Sequence, residues 1–199
     1  MKRLAVMFGL GLLIALPSCL AAQDHGEVGV YGDYFHYAPG SASDNFVGIG
    51  GRASFNVRPI LALEAEMNYD FARNYTTTGS SSSSAGASTS FTTTRVRPLT
   101  GLFGPKLQVG TGAFRAFVTG KVGFINFSTN NSGTTSAGTA TGAVSSVGGA
   151  GTHLAMYPGG GIEGFFGPIG LRAEVGDEIY LNNGTYNNLR VTFGPEFRF

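Results

Sequence analysis

From Glu27 to the C-terminus, apolar and polar residues trade places at every second position, in one segment after another. A β-strand points successive side chains to opposite faces, so this period predicts strands with one apolar and one polar face. The third such segment is the clearest. Leu61, Leu63, Ala65, Met67, Tyr69 and Phe71 alternate with Ala62, Glu64, Glu66, Asn68 and Asp70. The last segment sets Leu189, Val191, Phe193, Pro195, Phe197 and Phe199 against Arg190, Thr192, Gly194, Glu196 and Arg198. Eight segments are predicted in all, over 27–37, 45–57, 61–71, 99–109, 114–127, 153–166, 170–181 and 189–199. Pro105 and Pro195 fall inside two of them, and proline removes a ladder hydrogen bond, so a bulge is expected at each.

The connections alternate too. Arg58-Pro59, Gly110 to Ala113 and Gly167-Pro168 are short turns; Asn74 to Thr94 and Ser128 to Thr152 are long, uncharged and rich in Ser and Thr. Strands about eleven residues long, with one wholly apolar face, are long enough to cross a bilayer when tilted. Short turns at one end and long loops at the other are the habit of outer-membrane barrels. The pattern therefore predicts an all-β fold, an eight-stranded antiparallel up-and-down transmembrane β-barrel. Both termini are expected in the periplasm and the Ser/Thr-rich loops outside, as flexible, solvated surface.

Composition supports this picture. Charged residues are 13% of the chain, against about 25% in ordinary soluble domains. The hydrophobic fraction is 42%, yet no apolar run after the N-terminus has the length of a membrane helix. Met1 to Ala22 reads as a secretory leader, with Lys2 and Arg3 ahead of an apolar core from Leu4 to Leu16. Cleavage is placed after Ala22, with Ala21 second, leaving 23–199 as the barrel domain. Cys19, the only cysteine, is expected to leave with the leader rather than carry a lipid, so no disulfide or cysteine metal site is expected. A net charge of +1 gives no reason to expect nucleic acid.

The polar faces predict what fills the barrel. Inward acids are Glu27, Asp33, Glu64, Glu66, Asp70, Glu163, Glu174, Glu178 and Glu196; inward bases are Arg52, Lys106, Arg115, Lys121, Arg172, Arg190 and Arg198. Eight strands leave an interior that side chains fill. Isolated charges there would cost several kcal/mol each, so the two signs are expected to pair. A structural ion-pair network is the first reading and a narrow ion path the second.

Several segments resemble a known family: Gly159-Gly160-Gly161-Ile162-Glu163, Leu171-Arg172-Ala173-Glu174-Val175, and Asn187-Asn188-Leu189-Arg190 leading to Gly194 and Phe199. Together with Val28 to Tyr37 they are similar to the small bacterial outer-membrane β-barrels, the outer-membrane protein A-type transmembrane domain and the opacity-like, porin-like proteins. The terminal Phe199 looks like the signature by which the barrel-assembly machinery recognises such chains. The resemblance implies a structural or surface-interaction, adhesin-like role, with outer-membrane lipid as surroundings and extracellular ligands reached through the loops. It supplies no catalytic, cofactor or metal residues, and a chain stopping at Phe199 is expected to lack the peptidoglycan-binding domain of some members.

Two rival functions have some residues behind them. A lipid-modifying barrel, an acyltransferase or deacylase, would use a histidine beside a serine or carboxylate at the outer rim. His36 and His153 map to that end, near Ser41, Ser43 and Asp44. Serine is abundant in those loops, however, and His36 belongs to an apolar face, so no enzyme is expected. A soluble ligand-binding barrel fits less well, because the chain has no Trp and its turns are short at one end only.

Overall fold

The structure, a computed structural model, describes residues 25–38, 44–83, 86–110, 113–132, 151–182 and 184–199, with backbone alone over 76–92 and 130–132. The leader and Cys19, Ser41, Ser43 and most of the second Ser/Thr-rich stretch lie outside the described residues. The strands are β1 (Gly26–Tyr37), β2 (Asp44–Arg58), β3 (Leu61–Asp70), β4 (Arg73–Ser83), β5 (Gly86–Val109), β6 (Phe114–Ser132), β7 (Gly151–Phe166), β8 (Ile169–Leu181) and β9 (Thr185–Arg198). All neighbours pair antiparallel. β1 pairs with both β2 and β9, and β3 pairs with β5, which closes the sheet into a barrel. β3 and β4 are two halves of one stave: β5 pairs with β3 over Leu99–Leu107 and with β4 over Gly86–Val96. The barrel thus has eight staves, in up-and-down order.

Asn74 to Thr94 is therefore not the flexible loop its composition suggests. It folds as the β4–β5 hairpin, in register from Arg73↔Val96 to Ser83↔Gly86. β6 flanks it, pairing as far as Thr93↔Ser132. A three-stranded ridge thus continues the wall past the end of β3. Threonine's β-branched side chain favours extended backbone, and a hairpin need not be charged where its neighbour strand already fixes its register.

Neither proline produces a bulge. On one side Pro105 pairs in unbroken register with Leu63; on the other, the pairing with β6 lapses between Phe103↔Val122 and Lys106↔Thr119, then resumes without a shift. Pro195 does the same between β8 and β1, and Pro158 between β6 and β8. A residue in an antiparallel strand directs its N–H to one neighbour only. Each proline therefore loosens one seam locally and leaves the register alone. The bulge that does occur lies at Asn56–Arg58, beside the tight turn at Pro59-Ile60.

The predicted faces hold all round the wall. Outward positions such as Val30, Ile49, Leu63, Met67, Phe103, Val118, Val175 and Phe193 are exposed, and their polar neighbours are buried. Water would not tolerate so continuous an apolar surface; hydrocarbon requires it. Aromatic rings border the band, Tyr34, Tyr69 and Phe71 at the loop end, and Phe55, Phe114 and Phe166 at the tight-turn end. Residues 25 and 199 meet at the tight-turn end, where the His25 amide donates to the Phe199 carbonyl at 3.0 Å.

Candidate functional site

The interior is built from the inward residues of every stave, and it has two storeys. The storey toward the tight turns is ionic. All nine acids predicted to face inward are buried there, alongside Arg52, Lys106, Lys121, Arg172 and Arg190. Arg172 is the hub. Its guanidinium donates to both carboxylate oxygens of Glu64, at 2.6 and 2.9 Å, and to Glu174 at 2.5 Å. It also lies 3.4 Å from Glu196 and 3.2 Å from Glu163. Lys121 meets Glu64, Glu66 and Glu174 at 2.7, 2.7 and 3.0 Å. Below them Lys106 joins Glu27 and Glu163, each at 2.7 Å, and Arg115 reaches Glu27 at 2.9 Å. Above them Arg190 faces Asp33, Asp70 and Glu178 at 3.3, 3.3 and 2.5 Å.

Some of these partners adjoin along the wall, as Arg172 with Glu163 on the paired strand β7, and others lie across the lumen. Glu64 on β3 is bound by Arg172 on β8 and Lys121 on β6, not by Arg52 on the adjoining β2; Arg52 reaches Glu174 at 2.8 Å and Thr192 at 2.9 Å. In a narrow barrel the longest side chains span the diameter, so a charge can be met from a facing stave as well as from its own or the adjoining one. Arg198, counted among the inward bases from its alternation, sits at the rim instead. It donates to the Gly167 carbonyl at 3.0 Å and lies over the Phe165 ring.

Aromatic rings back the cations. Arg52 stacks 4.0 Å from the Tyr31 centroid, Arg172 4.0 Å from Phe117, Arg190 4.6 Å from Phe35 and Lys121 5.2 Å from Tyr157. Such contacts gain strength when desolvated. They need flat wall behind the ring. A Cβ on Gly159 or Gly176 would stand 2.8 or 2.5 Å from the Tyr157 ring, and one on Gly50 2.3 Å from Tyr31. This accounts for inward glycines, including Gly159 in the Gly159-Gly160-Gly161 run.

The storey toward the loops is apolar, which the alternation did not reveal. Phe35, Tyr37, Phe46, Val96, Leu102, Ile125, Phe127, Tyr157 and Tyr180 form one buried cluster. Tyr37 stacks on Tyr180 and their hydroxyls meet at 2.6 Å; Phe127 packs edge-on against both. Tyr186 stacks on Tyr180 from the loop side. A signal did exist: the inward position nearest the loops is aromatic in several segments, at Tyr37, Phe46, Phe127 and Tyr180.

The two rim histidines are on opposite faces of the wall. His36 points outward and meets the Asn45 side chain at 2.5 Å. His153 points inward against the Phe127 and Tyr180 rings. Asp44 pairs with Arg73 at 3.2 Å. Among the described residues, His36, His153 and Asp44 are therefore not brought together, and Ser41 and Ser43 lie outside them. Two acid groups, Glu27–Glu163–Glu196 and Glu64–Glu66–Glu174, converge closely enough to hold a cation. A lysine ammonium already serves each, Lys106 the first and Lys121 the second.

No known family model matches the sequence, and no curated protein matches it either. Solved structures do match in shape. Neisserial surface protein A superimposes with a TM-score of 0.54 at 8% identity, covering 89% of this chain and 99% of that one. The attachment invasion locus protein of Yersinia pestis, Ail, gives 0.53 at 9% identity in its complex with the heparin analogue sucrose octasulfate, covering 89% and 100%. The outer membrane protein OprG from Pseudomonas aeruginosa gives 0.50 at 8% identity, covering 89% and 97%. The protein has the fold of the small bacterial outer-membrane β-barrels. Its apolar outer band and ionic interior make it a transmembrane barrel of that kind.

Proposed function

We propose that this protein is a non-conducting outer-membrane barrel whose task is surface interaction, with the β4–β5–β6 ridge as its presenting element. The observation that carries the reading is the closed interior. Arg172 and Lys121 tie the facing staves together across the lumen, and the Tyr37–Phe127–Tyr180 cluster fills the loop end. An ion entering would have to displace buried rings and then compete with ion pairs already made. With the tight turns and both termini in the periplasm, the ridge stands outside the cell, where extracellular ligands meet it. The geometry at His36 and His153 gives no support to a lipid-modifying enzyme. Outer-membrane lipid surrounds the apolar band, and the Leu189–Phe199 strand is the segment that the barrel-assembly machinery would read.

Planar-bilayer recording and cell attachment test the reading together. The refolded protein is expected to give no unitary current above background. Cells displaying it are expected to attach to epithelial monolayers more than cells displaying a variant with 76–93 replaced by a short turn. A steady conductance in the intact protein would favour the narrow pore instead. Equal attachment by the two strains would remove the ridge from the function.

A further inference from the structure

The outer wall carries little charge, because its cations are nearly all turned inward. At the loop end two arginines break this rule. Arg95 and Arg97 alternate on β5 around Val96, which is fully buried, so both guanidinium groups lie on the outer face. They stand just above Leu99 and Tyr69, where the apolar band ends. To one side, Asn126 donates to Thr152 at 2.7 Å, again marking the start of polar surface.

The two are held differently. Arg97 donates to the Tyr69 hydroxyl at 2.9 Å, with its guanidinium 5.2 Å from the Tyr69 ring centroid; Tyr69 is in turn braced edge-on by Phe71. Arg95 is exposed and makes no hydrogen bond or ion pair among the described residues; its cross-strand neighbour on β4 is the neutral Asn74. The nearby carboxylate, Asp44, is engaged by Arg73. Outward Asp177, on β8, accepts the Asn188 amide at 2.8 Å on another part of the wall. A local positive patch thus sits at the depth where lipid headgroups begin. Residues two apart on a strand are about 6.6 Å apart. Two guanidinium forks at that spacing suit phosphate oxygens, which arginine binds in bidentate fashion.

We propose that Arg95 and Arg97 form a docking site for a phosphorylated lipid headgroup in the surrounding leaflet, with Tyr69 positioning Arg97. Its assignment to the outer leaflet rests on the loop end being the cell-surface end. The occupant is a lipid rather than a soluble phosphate because the patch continues the lipid-facing wall: a headgroup held there keeps its chains against Leu99 and Phe124.

The test uses the full-length protein refolded into phosphatidylcholine nanodiscs doped with bisphosphorylated lipid A, and reads lipid retained per barrel by mass spectrometry. Arg95→Gln/Arg97→Gln is expected to weaken retention about tenfold, equivalent to about 1.4 kcal/mol. Lipid A stripped of both phosphates should be retained weakly and equally by the wild type and the variant. Arg95→Lys/Arg97→Lys should fall between, and Tyr69→Phe should weaken retention less than loss of both arginines. Equal retention of bisphosphorylated lipid A by wild type and the Gln variant would overturn the site. Displacement by equimolar inorganic pyrophosphate would overturn the lipid as occupant. The discs are symmetric, so binding does not depend on orientation. A cysteine placed by Asn74→Cys, on the outer face beside Arg95 but outside the site, and labelled from outside intact cells tests that separately: failure to label with binding retained would refute the leaflet and spare the site.

Discussion

Replacing Arg172 by Met tests whether the ionic storey holds the barrel together. Methionine fills much of the same space and can still lie against the Phe117 ring, so the substitution chiefly removes charge. Four carboxylates lose a partner. Glu64 and Glu174 keep Lys121, at 2.7 and 3.0 Å, and Glu163 keeps Lys106 at 2.7 Å. Glu196 is left with Arg52 at 3.9 Å. Losing one partner of a buried pair costs about 3–5 kcal/mol. The remaining lysines place Arg172→Met at the lower end, about 3 kcal/mol.

The chain has no Trp, so tyrosine fluorescence or the mobility of unboiled protein on a denaturing gel must report folding. Urea titration of protein refolded into lipid vesicles gives the stability difference. A second variant isolates the electrostatic origin. Adding Glu64→Gln to Arg172→Met removes a carboxylate that has just lost two short bonds, and should recover about 1 kcal/mol or more, because deleting both partners costs less than orphaning one. Arg172→Lys should fall in between, since an ammonium cannot grip both oxygens of Glu64 with a planar fork. A loss below about 1 kcal/mol for Arg172→Met, or a double variant no more stable than the single one, would show that the network does not carry the fold.

Leu63→Arg, on the lipid face one residue from buried Glu64, should cost about 2–4 kcal/mol if it lies near the midplane; a cysteine at 63 should react with a lipid-soluble probe and one at 64 should not, and the reverse labelling would invert the register. Gly176→Ala should lose about 1–3 kcal/mol by forcing a Cβ into the Tyr157 ring, and Tyr157→Leu in the same chain should restore urea resistance. Replacing 76–93 by a short turn should leave the heat-modifiable gel band intact, because β4 pairs with the part of β5 that lies beyond β3; loss of that band would show that the ridge is needed for assembly.

The sequence made the faces legible because a strand's side-chain period is two residues whatever its surroundings. Glu64 and Leu63 could be assigned to interior and lipid from their neighbours alone. Which charge meets which could not, because Glu64 and Arg172 are brought together only when β3 closes onto β5 and the lumen's width is set. The ridge was hidden for a different reason. A Ser/Thr-rich segment has no apolar face to display a period, so its strand character comes from the neighbour it pairs with. The prolines show the same dependence from the other side. Pro105 and Pro195 were visible as breakers, but their effect turned on which seam each missing N–H would have joined, a property of the closed sheet. The exterior arginines are the case where local pattern and tertiary placement must be combined. Their alternation around Val96 was readable in Arg95-Val96-Arg97. Their meaning depends on standing at the edge of the apolar band, beside Tyr69, on a strand whose partner there is the Ser/Thr-rich β4.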